Sequence, residues 1–480
     1  MSAAQTAETH TARSATDPGT VIAFCVLFAL TLFLPSILND GDTLWQIRTG
    51  EWILDHHAIP AIDPFSFSAG DRRWFAHEWL AETLLALAHR AGGMQGVMVL
   101  SASAVGLTAA ILWHHIHRVL PGIYAVLALV AALANAAPSM LARPHLLAWP
   151  CLVVWCGGLV TARANRTAPS WMLLPVMLVW VNLHGSFMLG LLLPIAFMLE
   201  ALLDPGANHR AVLNTWARFI AGAWLAALIN PEFLSGLLFP FNHLGLKSLV
   251  WIGEWQPTDF SQTQPLELMI LAGLALGLSG QLRLPPVRLI ILLGLVHGAL
   301  THARNEQLLG LVGVLVLAHP IGAAFRRTGA DAPDLPWRGF AMGAALLAAV
   351  ALVARISLSP GTERTGEAFA AVIDHVPPKL RPQPVLNDYS LGGKLIFAGV
   401  RPVVDSRADL YGDEFLIRYR DITAPNSPEL DRVLGEYQIV WTIFPAGHRI
   451  LAAMDQMPGW QRLAETDGLI VHARTDWAGR

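Results

Sequence analysis

Apolar runs of about 20 residues recur along this chain from Val21 to Val353, and each is long enough to cross roughly 30 Å of hydrocarbon as a helix. No soluble fold could absorb so many. Of the 480 residues, 54% are hydrophobic and only 14% charged, against roughly 25% charged in soluble domains, which leaves too little polar surface to cover a water-soluble body. A polytopic membrane protein, with the lipid bilayer as its first partner, is therefore expected. The formal net charge of -3 and the lack of a basic cluster remove nucleic acid from the partners, because that class needs a positive stripe to displace counterions. Cys25, Cys151 and Cys156 lie inside apolar stretches without zinc-ligand or C-x-x-C spacing, and read as small core residues.

Residues 1–18 are rich in Ala, Thr and Ser and read as a disordered cytoplasmic tail. The first span, about 20–38, is too long for a signal peptide and lacks its cleavage pattern, so it is expected to be retained. Further spans are expected at about 94–114, 120–138, 145–162, 170–183, 187–203, 216–230, 265–281, 286–301, 306–324 and 339–357, roughly eleven in all. With the N-terminus inside, Arg118, Arg163, Arg166, Arg210, Arg283, Arg288, Arg326, Arg327 and Arg338 fall in cytoplasmic connections, as the positive-inside bias requires. The chain then divides into the tail, a transmembrane domain at 19–358 with a large first outer loop at 39–90, and an extracytoplasmic domain at 359–480. In the last, four prolines between Pro377 and Pro384 precede strand-like runs at 401–404 and 437–444 that alternate with helix-compatible stretches, so a small α/β domain is expected. The overall class is mainly α, a membrane helix bundle carrying that small domain. No internal repeat is visible, which argues against transporters built from inverted repeats.

The loop 39–90 gathers Asp40, Asp42, Glu51, Asp55, Asp63, Asp71, Glu78 and Glu82, and loops longer than about 15 residues are usually functional. Part of it, 44–57, has a helix-compatible pattern and is expected to lie on the interface. Most of these acids read singly as solvated carboxylates. Asp40 and Asp42 differ because they follow the first span directly, where a D-x-D pair can supply a general base or bind a divalent metal ion through hard oxygen ligands. Other polar residues are expected on the same side: Arg143 and His145, Asn182 and His184, Glu232 and Glu254, His302 and Arg304. Each alone reads as a cap or anchor. Converging on one cavity, they mark function, since polar groups near bilayer depth are costly. The seventeen tryptophans read mostly as an interfacial belt. In the C-terminal domain, Asp405, Arg407, Asp409 and Tyr411 lack a Gly-rich phosphate loop. They read as part of a cover over the cavity or as plain surface salt bridges.

The run Asn39-Asp-Gly-Asp-Thr-Leu-Trp-Gln-Ile-Arg-Thr-Gly50, with 59–66 (Ile-Pro-Ala-Ile-Asp-Pro-Phe-Ser) and His77-Glu-Trp-Leu80, resembles the first outer loop of bacterial polytopic proteins related to the C-type (GT-C) glycosyltransferases. Ala142-Arg-Pro-His145, Asn182-Leu-His-Gly185, 387–393 (Asn-Asp-Tyr-Ser-Leu-Gly-Gly) and 404–412 (Val-Asp-Ser-Arg-Ala-Asp-Leu-Tyr-Gly) fit the same resemblance, which spans most of the chain. It implies a protein of the bacterial inner membrane that moves a sugar from a polyprenyl-phosphate donor to a glycan, lipid or protein acceptor outside the cytoplasm. Asp42 or Asp40 would deprotonate the acceptor or help hold a metal, with His77 and Glu78 as secondary catalytic candidates. Arg143, Arg304 and His184 would neutralise the leaving phosphate, alongside His145, Asn182, Glu254 and His302 as substrate-binding candidates. The sequence departs from the family at Gln46, where a histidine is common. The competing readings are a lipid-linked oligosaccharide polymerase or ligase, a non-catalytic glycan-assembly subunit, and a transporter.

Overall fold

The structure, a computed structural model, describes residues 17–280, 282–328, 337–357, 369, 372–425, 427–466 and 468–478. The expected tail lies almost wholly outside these residues, as do the side chains of Arg326, Arg327 and Arg338. The first half runs α1 (Pro18–Leu32), α2 (Gly41–His56), α3 (Trp79–Ile116), α4 (Gly122–Ala136), α5 (Pro144–Ala164), α6 (Leu174–Leu183) and α7 (Phe187–Leu202). There follow α8 (His209–Ala227), α9 (Leu234–Leu244), α10 (Pro265–Leu278), α11 (Pro286–Thr301), α12 (Glu306–Leu308), α13 (Val314–Thr328) and α14 (Trp337–Ser357). A proline opens α1, α5, α10 and α11, where its missing N–H costs no hydrogen bond and its fixed φ suits the first turn.

A helix thus overlies each apolar segment. Five helical stretches (79–116, 122–139, 144–164, 303–325 and 339–357) are long and apolar enough to cross a membrane, and five shorter apolar helices join them. Helix α1 packs on α3 and α14, α3 on α5, α5 on α6 and α7, and α7 on α8 and α11. The outer faces of α4, α10, α11 and α14 expose leucine, valine and isoleucine, including Leu127, Leu271, Ile290 and Val350. Such continuous apolar surface is satisfied by lipid, and the chain is a multi-pass membrane protein.

Two expectations are corrected here. The segment expected as the first outer loop does not run unbroken to residue 90: Trp79 begins a helix that bends at Gly92 and Gly93, whose backbones leave the helical region, and continues to Ile116. The polar residues between Trp79 and Arg90 hid that first arm. Nor do all the tryptophans belong to a belt, since Trp149, Trp155 and Trp180 are fully buried in the bundle. Each indole N–H is paired, to Gln307 Oε1 at 2.5 Å, to the Gly190 carbonyl at 2.8 Å and to Ser186 Oγ at 3.0 Å respectively.

Beyond the bundle, β1 (Val385–Asn387), β2 (Trp441–Pro445), β3 (Trp460–Thr466) and β4 (Leu469–Arg474) form one sheet in the order β1-β2-β4-β3. Strand β1 pairs parallel with β2, β2 antiparallel with β4, and β3 and β4 form an antiparallel pair with an irregularity at Arg462 and Ala464. Helices α15 (Gly392–Phe397), α16 (Ala408–Ile422), α17 (Leu430–Glu436), α18 (Leu451–Gln456) and α19 (Thr475–Ala478) surround it. Two contacts fix this unit over the bundle. Helix α15 packs on α2, where a Cβ on Gly393 would collide with the Gly41 carbonyl, so the two backbones touch. Arg407 inserts between the 57–78 segment and the sheet side: it pairs with Asp63 at 2.7 Å and Asp405 at 2.6 Å and stacks over Trp74 at 4.6 Å, with Trp45 and Phe65 beyond.

Candidate functional site

A cavity of about 340 Å³ opens where the N-terminal ends of α2 and α5, the 184–189 turn, α9, the segments 254–255 and 304–308, and the 406–409 segment converge. Local backbone chemistry aims the polar groups. Asp40 is extended and caps α2, its Oδ1 accepting from the Asp42 N–H at 3.1 Å, which places the Asp42 carboxylate in the first helical turn, where the helix dipole favours negative charge. Arg143 is likewise extended, because Pro144 follows it and excludes helical backbone at that position.

Arg143 is the hub. Its guanidinium holds Asp40 through Nε and through Nη2 (2.9 Å), Asp42 at 2.9 Å and Glu254 at 3.1 Å. Glu254 uses its other oxygen on Arg304 at 3.1 Å, and Arg304 in turn lies over the Trp255 ring at 4.3 Å. The second oxygen of Asp42 accepts from the Ser406 hydroxyl, which itself accepts from Trp45 Nε1 at 3.0 Å. Burial, with the charges of Asp40 and Glu254, pushes the Asp42 carboxyl up to about 6 against the opposing pull of Arg143 and Ser406. Three carboxylates around Arg143 raise its pKa despite burial, so it stays charged.

The other end of the cavity is built on histidine. Glu78 lies 3.6 Å from His77 and 3.7 Å from His184. Burial opposes its ionisation, but the surrounding histidines, His77 first, outweigh burial and hold its carboxyl down to about 2. Burial likewise works against charge on His77, yet Glu78 overcomes it and raises that imidazole. His184 Nδ1 accepts from the Ser186 N–H at 3.1 Å, which leaves Nε2 to carry the proton facing Glu78. Burial depresses His184 to about 3, so it is neutral. His145 donates from Nε2 to the Ser139 carbonyl at 2.7 Å.

Of the residues singled out from sequence, Asp42, His77, Glu78, Arg143, His145, His184, Glu254 and Arg304 line the cavity, and Asp40 stands behind Arg143. Asn182 and His302 do not line it. Asn182 binds Trp79 Nε1 at 2.7 Å and the Ile229 carbonyl at 3.0 Å, a helix-to-helix tie, and His302 Nδ1 donates to the Trp255 carbonyl at 2.8 Å, bracing the turn that carries Glu254. Gln46, the position that departs from the family, also lines the cavity, as do Trp45, Trp255, His243 and Ser406, which were not singled out, and Arg407 and Asp409 enter it from the sheet side. Gln46 Oε1 finds no hydrogen-bond partner among the described residues. Leu152, Met188, Leu189, Phe239, Phe241 and Leu308 form an apolar wall beside these groups.

The fit of a divalent metal ion at Asp40 and Asp42 is poor as the donors stand. Asp40 gives both oxygens to Arg143, Asp42 divides its oxygens between Arg143 and Ser406, and no third His, Cys, Asp or Glu completes a ligand group among the described residues.

No family model and no curated protein matches this sequence. Among solved structures, the chain superposes on ArnT from Cupriavidus metallidurans bound to undecaprenyl phosphate, with a TM-score of 0.50 over 96% of this chain and 99% of that one at 13% identity. At that identity the likeness establishes a shared fold.

Proposed function

We propose that the protein transfers a sugar from a polyprenyl-phosphate donor to an acceptor hydroxyl in this cavity, outside the cytoplasm. The observation that carries the reading is the juxtaposition of a half-buried carboxylate, Asp42, pushed up to about 6 by its surroundings, with two guanidinium groups, Arg143 and Arg304, beside an apolar wall. The likeness to a structure holding undecaprenyl phosphate supports a lipid-phosphate ligand. Resemblance of the 39–50, 77–80 and 142–145 motifs to GT-C proteins supports sugar transfer.

In the proposed step Asp42 accepts the proton of the acceptor hydroxyl as its oxygen attacks the anomeric carbon. The new carbon–oxygen bond forms while the bond from that carbon to the phosphate oxygen breaks, and the polyprenyl phosphate leaves with the electron pair. A base with a pKa near 6 is ionised at neutral pH yet basic enough to take a proton that becomes acidic in the transition state. Charge builds on the leaving phosphate, and guanidinium groups fixed beforehand by Asp40 and Trp255 stabilise it without reorganising. A metal ion at Asp40 and Asp42 would have to displace Arg143.

Donor binding tests the reading. Arg143→Ala and Arg304→Ala, purified in detergent and checked for folding, are expected to bind a polyprenyl-phosphate sugar about tenfold or more weakly, since a charged hydrogen bond contributes about 1.5–3 kcal/mol. Unchanged affinity in both variants, or no donor bound by the wild type across a broad panel, moves the assignment to a non-catalytic assembly subunit.

A further inference from the structure

Glu254 is difficult to explain as part of a phosphate site. A carboxylate that bridges Arg143 and Arg304 at 3.1 Å to each fills the place where a phosphate would meet both guanidinium groups, and two anions cannot share that place without a large repulsive cost. Neither arginine needs Glu254 to hold its position. Arg143 keeps Asp40 and Asp42, and Arg304 keeps the face of Trp255.

The attachment of Glu254 is also unlike that of its neighbours. It sits on a single 3-10 turn, 253–255, in the connection between α9 and α10. The turn is pinned on its C-terminal side, where the Trp255 carbonyl accepts from His302 and the Gln256 carbonyl accepts from the Ala303 N–H at 3.0 Å. On its N-terminal side is Gly253, with open space where a Cβ would lie. The Glu254 side chain is 34% exposed, more than Arg143 at 19% or Arg304 at 24%. It can rotate into solvent with no helix displaced.

We propose that Glu254 is a built-in competitor for the donor's phosphate: it occupies the seat between Arg143 and Arg304 in the empty protein and leaves when the anion arrives. This rests on the lipid-phosphate reading above. In the empty site Glu254 keeps two half-buried cations paired. It also adds an energetic threshold, since a neutral ligand or a weakly held anion does not displace it.

The sign of one mutation decides. If Glu254 competes, Glu254→Gln and Glu254→Ala bind undecaprenyl phosphate more tightly than wild type, by about three- to tenfold, because a like charge is removed from the seat. Arg304→Gln, run beside them, binds more weakly. If Glu254 instead braces the arginines for binding, both Glu254 variants bind as weakly as Arg304→Gln, and equal affinity in wild type and variants also overturns the proposal. A soluble arm with inorganic phosphate separates headgroup from lipid: the gain appears there too if the competition is for the phosphate itself, and its absence there contradicts the assignment. Should neither wild type nor any variant bind undecaprenyl phosphate, the lipid-phosphate reading falls together with this one, a result distinct from binding without improvement.

Discussion

Asp42 and Ser406 show how much of the site lies in single contacts. The Ser406 hydroxyl favours the Asp42 carboxylate, and burial with Asp40 and Glu254 disfavours it. If Asp42 is the base, kcat/KM falls as pH drops through about 6, tenfold per unit, because the proton then occupies the group that must accept one. Ser406→Ala removes the bond that stabilises the ionised form, so the limb moves to higher pH. A variant that lowers the rate equally at every pH, with the limb fixed, assigns Ser406 a packing role only. Asp42, Arg143 and Arg304 were legible in sequence because polar residues at the ends of apolar segments have few reasons to be there. Ser406 was not, and Arg407 stood out only within a run that reads equally as a cover over the cavity or as surface salt bridges. The run Asp405-Ser-Arg-Ala-Asp409 has the local pattern of a solvated turn, and surface salt bridging was a fair reading of it. What buries it is far away in the chain: Arg407 is about 1% exposed because Asp63, Trp45 and Trp74 enclose it.

At the scale of elements, that arginine is the joint between α2, the 57–78 segment and the sheet. Burial raises the Asp63 carboxyl, but Arg407, with Ser66, pulls it below the ordinary carboxylate range. The pair's contribution is therefore complete above the usual carboxylate pKa and is lost as pH falls through the lowered value. Removing Asp63 leaves Arg407 with Asp405 as its one remaining carboxylate partner. Asp63→Asn is expected to cost about 1–3 kcal/mol, read as a lower unfolding temperature in detergent and faster proteolysis between 370 and 480, with the transmembrane helices intact. Stability and proteolysis unchanged from wild type would contradict the joint. Sequence periodicity located the apolar helices but misplaced the start of α3. Glu82, His89 and Arg90 made its first arm look like loop, and the Gly92-Gly93 pair marks a bend where a boundary was expected.

For the whole molecule, we propose, from the arginine distribution and the odd number of spans expected from sequence, that the N-terminus lies in the cytoplasm and the sheet-bearing unit outside. A cysteine introduced at Ser427 is then expected to react with an impermeant reagent in cells whose outer membrane alone is opened; reaction only after the inner membrane is permeabilised reverses the threading. The native cysteines lie within α1 and α5, and Cys25 and Cys156 are buried. The number of crossings follows from sequence only coarsely, since five apolar helices are shorter than a bilayer normally requires, and packing rather than length positions them. The most direct measurement of the central claim is single-turnover transfer from a polyprenyl-phosphate sugar by Asp42→Asn, with donor affinity measured on the same preparation. The account predicts that the donor still binds while transfer slows by about 10² to 10⁴; transfer at the wild-type rate by a correctly folded Asp42→Asn protein would contradict it.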